Sequence, residues 1–268
     1  MCSPETTKKE IYVIKDLKME FNPQRHLSIE GTQNIRDLGG YPTKDGRQTR
    51  WGRFLRSDGL HSVTATGQAE LLAMGLRTIV DLRRSSELTT APSVFSGSKD
   101  LAYHHLDMIG EGTLEEVQPL SDGVDRIAHT YCQWLENRQE AVCRILRTLA
   151  GSNALPALYN CAAGKDRTGV ISALLLSVAD VTDEVIADDY ALSARFLLDR
   201  HHRELNAAGK PNPEYTEQDY RRDHVPPEAM CRVLRHVHEQ YGGAASYMHH
   251  VGLENDQIEL LRAGLLTD

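Results

Sequence analysis

The residues best suited to chemistry lie together in residues 159–169, which read YNCAAGKDRTG. Cys161 stands six positions before Arg167, and small residues, including Gly164, occupy much of the loop between them. A strand-like apolar run precedes this loop, and a run with the i, i+3, i+4 spacing of a buried helix follows it. A strand, a tight loop and a helix N-terminus form an anion site, because their free N–H groups point at one spot.

A cysteine at such an anion site is suited to attack phosphorus. The field that binds an anion also stabilises the thiolate form of a cysteine. Arg167 carries the planar guanidinium that can bind two phosphate oxygens at once. The pair therefore predicts a phosphate-ester hydrolase that works through a covalent intermediate on Cys161.

The spacing of cysteine and arginine is not specific by itself, since the chain contains it twice. Cys132 is also followed six positions later by Arg138. That second copy contains no glycine and lies in a helical pattern, where backbone N–H groups are already paired. We predict no catalytic role for Cys132. For Cys161, the alternative interpretation is a buried structural cysteine beside a surface arginine.

The composition is that of an acidic chain with enough apolar residues for a full core. Its 268 residues are 40% hydrophobic, which fits one large α/β domain or a domain with a subdomain. The formal net charge of -8 argues against a general nucleic-acid-binding surface, so we expect no nucleic-acid partner. No apolar run is long enough to span a membrane, and we expect no integral membrane segment.

The cysteines and the N-terminus indicate the compartment. The five cysteines are odd in number and scattered, which favours a reducing compartment over a disulfide framework. Residues 1–9 are polar and lack the apolar core of a secretory signal. We therefore expect a cytoplasmic protein, and export without a signal peptide remains open.

Strand and helix patterns alternate along the chain. Thr64 is expected to cap a helix that Gly75 ends. Strands are expected at residues 77–83, at 101–108 and in a run that ends at Asn160; helices are expected at 124–149, 182–205, 230–241, 246–251 and 256–266. This alternation predicts an α/β fold with a largely parallel central sheet flanked by helices. Ligands bind at the carboxyl ends of such strands, where both Asp81 and Cys161 fall.

We predict one domain over residues 27–268, preceded by an N-terminal extension over residues 1–26 with an edge strand at residues 11–14. Residues 201–228 are polar and contain several prolines, which fits either the mobile edge of a lid or a solvated loop. The histidine pairs at residues 201–202 and 249–250 have no third ligand at useful spacing, so we interpret them as surface residues and not as metal sites. We expect no cofactor.

Several ordered segments carry a family resemblance. They are residues 34–41 (NIRDLGGY), 54–57 (FLRS), 78–83 (TIVDLR) and 161–169 (CAAGKDRTG), with Tyr241, Tyr247, Gly252-Leu253 and residues 260–262 near the end. Together they resemble the atypical bacterial protein tyrosine phosphatases of dual or broader specificity, some of which also act on phosphoinositides. The resemblance runs from about residue 27 to the end. It implies a phosphotyrosine phosphatase-like α/β fold, no metal, and a helical lid over the site.

One position departs from the family pattern. Asn160 precedes the cysteine, where the family usually has a histidine that fixes the loop and keeps the thiolate ionised. An asparagine can still donate a hydrogen bond to the loop backbone, but it carries no charge. We therefore expect a slower enzyme or one that works at more alkaline pH.

The site residues can be given roles on this basis. Cys161 would form a phosphocysteine intermediate, and Arg167 with the loop N–H groups would hold the phosphate oxygens. Thr168 would donate a hydrogen bond to the sulfur; its alternative is a bond to the helix backbone. The loop N–H groups are those of the residues between nucleophile and helix, Ala162, Ala163, Gly164 and Lys165.

Asp166 and Asp81 are both candidates for the general acid that protonates the leaving oxygen. We prefer Asp166, because its place within the loop motif puts it near the phosphate. Asp81 is alternatively a hydrogen-bond acceptor that anchors a loop. Arg36, Asp37 and Arg83 are expected to brace the loop.

Lys165 adds a positive charge that suits a substrate with more than one phosphate; its alternative is a solvated lysine. The expected partner is thus a phosphorylated protein or a phosphoinositide, as substrate. Two other functions stay open. A sulfurtransferase also places a cysteine in a six-residue loop on a parallel sheet, and Asn160 is compatible with a phosphate-binding pseudophosphatase.

Overall fold

The computed structural model describes residues 21–111 and 123–267. In these residues a central sheet has the strands β1 (Arg36–Asp37), β2 (Phe54–Ser57), β3 (Thr78–Asp81), β4 (Ala102–His105) and β5 (Ala157–Asn160). Their order across the sheet is β1-β2-β5-β3-β4. β1 runs antiparallel to β2, and the other pairings are parallel. The predicted α/β fold with a largely parallel sheet is confirmed.

Helices cover both faces of this sheet. Successive side chains of a strand point to opposite faces. Val80 and Tyr159 belong to a large apolar core beneath most of the helices, whereas Ile79 and Leu158 belong to a smaller core on the other face. The helices in the described ranges are α1 (Ala65–Ala73), α2 (Ser85–Thr90), α3 (Gly123–Asn137), α4 (Gln139–Leu149), α5 (Asp166–Val178), α6 (Asp183–Ala191), α7 (Ser193–Ala207), α8 (Glu217–His224), α9 (Pro227–Tyr241), α10 (Ala244–His250) and α11 (Asn255–Leu265).

The three central strands end at the same level. Ser57 of β2 and Asp81 of β3 both pair with Asn160 of β5. Since parallel strands have their carboxyl ends at one edge of the sheet, the segments that follow these strands meet there. The segment that begins at Cys161 therefore lies between the segments after β2 and β3.

Helix α5 is buried on nearly all sides after its first two residues, which fits the absence of charged residues from position 168 to position 178. Every residue from position 168 to position 176 is buried. The helix packs against β2 and β5 on one side and contacts α6, α10 and α11. A helix that is apolar all round belongs in a core, and this packing fixes the N-terminus of α5 at the edge where the central strands end.

Most of the predicted elements are confirmed. Thr64 caps α1, because its hydroxyl accepts a hydrogen bond from the Gly67 N–H. Residues 124–149 form two helices, α3 and α4, and the three C-terminal helices are present. β4 is shorter than the predicted residues 101–108. The edge strand predicted at residues 11–14 lies outside the described residues. Within the described ranges, no helix combines the length and the apolar character needed to cross a membrane.

The single helix predicted over residues 182–205 is wrong. The chain forms α6 and then α7, which are divided at Leu192. The Arg36 side chain lies near this division, where its Nη2 donates a hydrogen bond to the Asp189 carbonyl oxygen at 2.8 Å. The polar segment at residues 201–228 also contains more helix than expected, since it includes the end of α7 and all of α8.

Candidate active site

The Cys161 loop, defined here as residues 161–165, connects β5 to α5. Cys161 follows the last residue of the strand and is 2% exposed. Gly164 has φ +64, a conformation that favours glycine. A Cβ atom at this position would lie 2.5 Å from the Asp58 backbone nitrogen, so the loop also has no room for a side chain here. The predicted strand, tight loop and helix are all present.

Two buried side chains hold the carbonyl oxygens in the middle of this loop. Asn34 Nδ2 donates to the Ala163 oxygen at 2.8 Å and to the Gly164 oxygen at 3.1 Å. Arg56 Nη2 donates to the Gly164 oxygen at 2.8 Å. Both side chains come from the β1–β2 region, far from the loop in sequence. They turn these carbonyl groups outward from the centre of the loop, toward the surrounding protein.

The Ala162 carbonyl oxygen is held in the same way. It accepts a hydrogen bond from the Gly59 N–H at 3.2 Å and from Arg200 Nη1 of α7 at 3.4 Å. An amide that points its carbonyl oxygen one way points the N–H of the same peptide unit the other way. The loop therefore directs N–H groups away from these donors, toward the side on which an anion can bind.

A buried ion cluster supports Arg56. Asp189 of α6 accepts from Arg56 Nη1 at 2.5 Å and from Arg36 Nε at 3.1 Å. The Tyr41 hydroxyl donates to the same carboxylate at 2.7 Å. Burial opposes the ionisation of Asp189, but the charges of both arginines outweigh burial and hold its pKa well below the usual range. Burial and the charge of Arg56 lower the pKa of Arg36 to about 10.

The three residues predicted to brace the loop act elsewhere or indirectly. Arg36 holds Asn34 Oδ1 at 2.6 Å, so it reaches the loop through Asn34. Asp37 accepts hydrogen bonds from the N–H groups of Gly39 and Gly52 and holds the turns beside β1. Arg83 binds Asp81 and the Ala91 carbonyl oxygen. The side chains that bind the loop carbonyl oxygens directly are those of Asn34, Arg56 and Arg200.

Arg167, the second residue of α5, makes a paired contact with Glu87 of α2. Nη1 donates to Oε2 at 2.6 Å, and Nη2 donates to Oε1 at 2.9 Å. Burial opposes the ionisation of Glu87, but hydrogen bonds from Arg167 and from the Arg84 N–H outweigh it and keep the pKa of Glu87 below the usual range. The Glu87 carboxylate thus occupies the two Arg167 nitrogens that could otherwise donate to two phosphate oxygens.

Asp166 lies at the start of α5, and its carboxylate is partly exposed. The Tyr131 hydroxyl of α3 donates to Oδ1, while Oδ2 is 3.7 Å from Lys165 Nζ. Burial and the charge of Asp166 raise the pKa of Tyr131 well above its usual range, which keeps its hydroxyl protonated. One oxygen of Asp166 is therefore held by a buried donor, and the other lies on the side of the loop lysine.

Asp81 is occupied by other groups. It is fully buried and receives hydrogen bonds from Arg83 Nε at 2.9 Å and Arg83 Nη2 at 2.7 Å. The Tyr103 hydroxyl donates to it at 3.0 Å. The alternative interpretation of Asp81, an acceptor that anchors a loop, fits this geometry better than a general acid does.

Two buried polar groups next to Cys161 differ from expectation. Thr168 Oγ1 has no hydrogen-bond partner among the described residues, so the predicted bond to the Cys161 sulfur is not formed here, nor is one to the backbone. Asn160 is fully buried, and neither Nδ2 nor Oδ1 has a partner within the described part of the chain. The expected hydrogen bond from Asn160 to the loop backbone is therefore absent from this structure. Because side chains two positions apart in a strand share a face of the sheet, the Asn160 side chain lies on the same face as Leu158 and Ile79. This is the face opposite helix α5.

Two cavities lie at opposite ends of α5. One, of about 860 Å³, adjoins the Cys161 loop and is lined in part by Ala162, Glu87 and Arg200. The other, of about 800 Å³, lies beside Ser177 and Asp180 at the far end of the helix. The first cavity gives a molecule in solution a place beside the loop.

Other residues from the sequence analysis lie outside this site. Cys132 is in the middle of α3, where burial and the charge of Glu136 raise the pKa of its thiol to about 12. His201 packs against the rings of Tyr215 and His224. Among residues 21–111 and 123–267, no group of three or more histidine, cysteine or acidic side chains is placed to hold a metal.

The main residues that sequence reasoning missed are Glu87, Arg56, Asp189 and Tyr131. Glu87 had a weak signal, because it follows the strand that ends at Asp81 and so belongs to the same edge of the sheet. The other three lie far from residues 161–169 in sequence, and no local pattern connects them with the loop.

The fold and the site together define a phosphatase. A thiol, an arginine and inward N–H groups lie on a strand–loop–helix unit at the carboxyl edge of a parallel sheet. The sequence profile of the tyrosine phosphatase family matches residues 27–267. The chain therefore belongs to the tyrosine phosphatase family, as its resemblance indicated, and it is a protein-tyrosine phosphatase.

Individual relatives agree with this assignment. The chain is 29% identical to a tyrosine-protein phosphatase of Nostoc commune, over 79% of this chain and 74% of that protein. It is 25% identical to the triple specificity protein phosphatase PtpB of Mycobacterium tuberculosis, over 89% of this chain and 98% of that protein. The similarity therefore covers most of the chain in both comparisons.

Proposed function

We propose that Cys161 attacks the phosphorus of a phosphotyrosine and forms a phosphocysteine intermediate, which water then hydrolyses. The observation that carries this proposal is the orientation of the Cys161 loop. Donors from Asn34, Arg56 and Gly59 hold its carbonyl oxygens outward. The N–H groups that this leaves beside the thiol can stabilise the charge that develops on the phosphate oxygens.

Arg167 completes the anion site in this proposal. Its guanidinium exchanges part of its contact with Glu87 for two oxygens of the phosphate group. Thr168 assists the second step by donating to the sulfur as it leaves. Its buried hydroxyl makes no other hydrogen bond to the described residues, so it can turn toward Cys161.

Asp166 is the proposed general acid, and the arrangement of the two candidate aspartates supports this choice. Asp81 is fully buried and bound to Arg83, whereas the Asp166 side chain is 35% exposed. In the first step Asp166 gives its proton to the leaving tyrosine oxygen as the sulfur–phosphorus bond forms. In the second step the carboxylate takes a proton from the attacking water.

The proposed substrate range extends to phosphoserine, phosphothreonine and phosphoinositides. Lys165 supports this extension, because its amino group lies at the loop beside Asp166 and is only partly exposed. A second cation suits a substrate that carries more than one phosphate. The relative PtpB is named for three specificities.

The test compares phosphate release by the wild type and Cys161→Ser under reducing conditions. A phosphotyrosine peptide and a phosphoinositide serve as parallel substrates. Cys132→Ser is the matched control, because this second cysteine also stands six positions before an arginine but lies within α3. We expect turnover to vanish in Cys161→Ser and to persist in Cys132→Ser.

Other results would point to the alternatives. Phosphate binding without turnover on either substrate would contradict the enzyme mechanism and support a pseudophosphatase. A persulfide on Cys161 after incubation with a sulfane sulfur donor, together with absence of phosphate release, would support a sulfurtransferase. Turnover of the peptide alone would limit the proposal to phosphoprotein substrates.

A further inference from the structure

The general acid proposed above has a buried neighbour whose geometry gives it a function. Tyr131 of α3 is 2% exposed, and its hydroxyl donates to Oδ1 of Asp166. Behind it, the Tyr190 hydroxyl of α6 lies 2.9 Å from the Tyr131 hydroxyl. Tyr190 also reaches the His224 carbonyl oxygen at 3.4 Å. Two tyrosine hydroxyls thus form a buried chain that ends at one oxygen of the Asp166 carboxylate.

The direction of this chain follows from the number of protons. An ionised carboxylate can only accept hydrogen bonds, so Tyr131 must donate its single proton to Asp166. Tyr190 also has a single proton, and the Tyr131 oxygen at 2.9 Å is a nearer acceptor for it than the His224 carbonyl oxygen at 3.4 Å. Burial and the charge of Asp166 raise the pKa of both tyrosines well above the usual range, so both remain donors at neutral pH.

The residues packed around Tyr131 and Tyr190 support this hydrogen-bonded chain. A Cβ atom at Gly169 would lie 2.9 Å from the ring of Tyr190, so a larger residue here would push that ring away. Tyr131 also stacks on Trp134, with ring centroids 5.0 Å apart. The positions of both tyrosine rings are therefore fixed by their neighbours.

We propose that Tyr131 is a positioning residue that makes Asp166 an effective general acid, an inference that rests on the proposed function. Because Oδ1 is held by Tyr131, the acid proton is carried by Oδ2, on the open side of the loop next to Lys165. That proton passes to the leaving oxygen as its bond to phosphorus breaks. Tyr131 itself keeps its proton throughout the reaction.

The charged and titratable groups around Asp166 come from several elements. These groups are Lys165 of the loop, Arg167 of α5, Tyr131 of α3, Tyr190 of α6, and Tyr220 and His224 of α8. Replacement of Tyr131 by phenylalanine changes one of these neighbours and leaves the others in place.

The test uses Tyr131→Phe and two substrates that differ in their need for an acid. The phenolate of phosphotyrosine is a poor leaving group and needs a proton, whereas a dinitrophenyl phosphate leaves without one. We expect kcat/KM for the phosphotyrosine peptide to fall about tenfold through loss of orientation, while kcat/KM for the dinitrophenyl phosphate changes less than about twofold.

Tyr247→Phe is the matched control. Tyr247 is also fully buried and donates its hydroxyl proton to a carbonyl oxygen of α3, that of Leu135 at 2.8 Å, but it lies away from the loop. This variant should lose stability without changing the ratio of the two kcat/KM values. Introducing Tyr131→Phe into Asp166→Asn should cause no further loss, since the acid is already absent.

Each outcome has a definite meaning. Equal slowing on both substrates, or full additivity with Asp166→Asn, would overturn this inference while the Cys161 mechanism stands. Absence of any turnover in the wild type would overturn the proposed function itself and this inference with it. If Tyr131→Phe does not fold, Tyr190→Phe is the second test, because it weakens the donor without touching Asp166. It should shift the substrate ratio in the same direction by a smaller factor, and an unchanged ratio would overturn the inference.

Discussion

Replacement of Asp189 by asparagine tests the buried ion cluster behind the Cys161 loop. The carboxylate lies between two fully buried guanidinium groups, those of Arg36 and Arg56. Asparagine keeps the size of the side chain but removes its charge. The variant would leave two like charges close together and out of contact with water, with only dipoles to stabilise them.

The expected loss of stability is large. Removing one partner of a buried ion pair costs about 3–5 kcal/mol, because the remaining charge is uncompensated. A typical domain has a free energy of unfolding of about 5–15 kcal/mol, so the variant loses a large share of it. The loop should also loosen, because Arg56 holds the Gly164 carbonyl oxygen.

Urea unfolding at several pH values measures this effect. The pKa of Asp189 is well below its usual range in the folded state. The carboxylate therefore stabilises the fold fully at pH values above about 4, the ordinary pKa of an aspartate. Below that pH the unfolded chain takes up the proton first, and the difference between wild type and Asp189→Asn should shrink as the pH falls.

The neighbouring residue provides the control. Asp188 pairs with Arg221, and both side chains are partly exposed, at 21% and 37%. Asp188→Asn should cost less than about 1 kcal/mol, as exposed ion pairs do. A loss below about 1 kcal/mol in Asp189→Asn, or a loss equal to that of Asp188→Asn, would refute the argument from burial.

Two further predictions concern groups that touch the site. Glu87→Gln should strengthen the binding of inorganic phosphate on the order of tenfold, because it removes a negative charge that competes with the anion for Arg167. Calorimetric titration measures this affinity. Weaker binding would mean that Glu87 instead orients the guanidinium. Asn160→Leu should raise the free energy of unfolding by about 1 kcal/mol or more, since both polar atoms of the buried amide lack partners among the described residues. Urea unfolding measures it, and a loss of stability would show that the amide is bonded in solution.

The sequence predicts the local part of this site well. Residues 159–169 contain the strand, the glycine and the apolar helix in consecutive order, so short-range patterns suffice. The sequence also predicts the position of Asp81 at the end of its strand. Its side chain was harder to assign, because a strand end places a carboxylate near the site without determining its partner.

Contacts between distant segments could not be predicted in this way. Arg36, Arg56 and Arg83 all lie in motifs of the family, and only the packed structure shows that Arg56 touches the loop and Arg83 does not. The break between α6 and α7 was likewise not predictable from the local sequence. Its local sequence is continuous in helical character, and Arg36, a residue 153 positions away from Asp189, donates to a carbonyl oxygen beside the break.

The outward turn of the loop carbonyl oxygens has a consequence for folding. The donor Asn34 is separated from Ala163 by 129 residues, and Arg56 from Gly164 by 108 residues. Contacts over such distances form slowly, because a long stretch of chain must be closed first. The N–H groups thus converge beside the thiol only when chain segments from both halves of the sequence have assembled. A partly folded chain therefore lacks the reactive site, and recovery of activity after dilution from urea would report the completion of the fold.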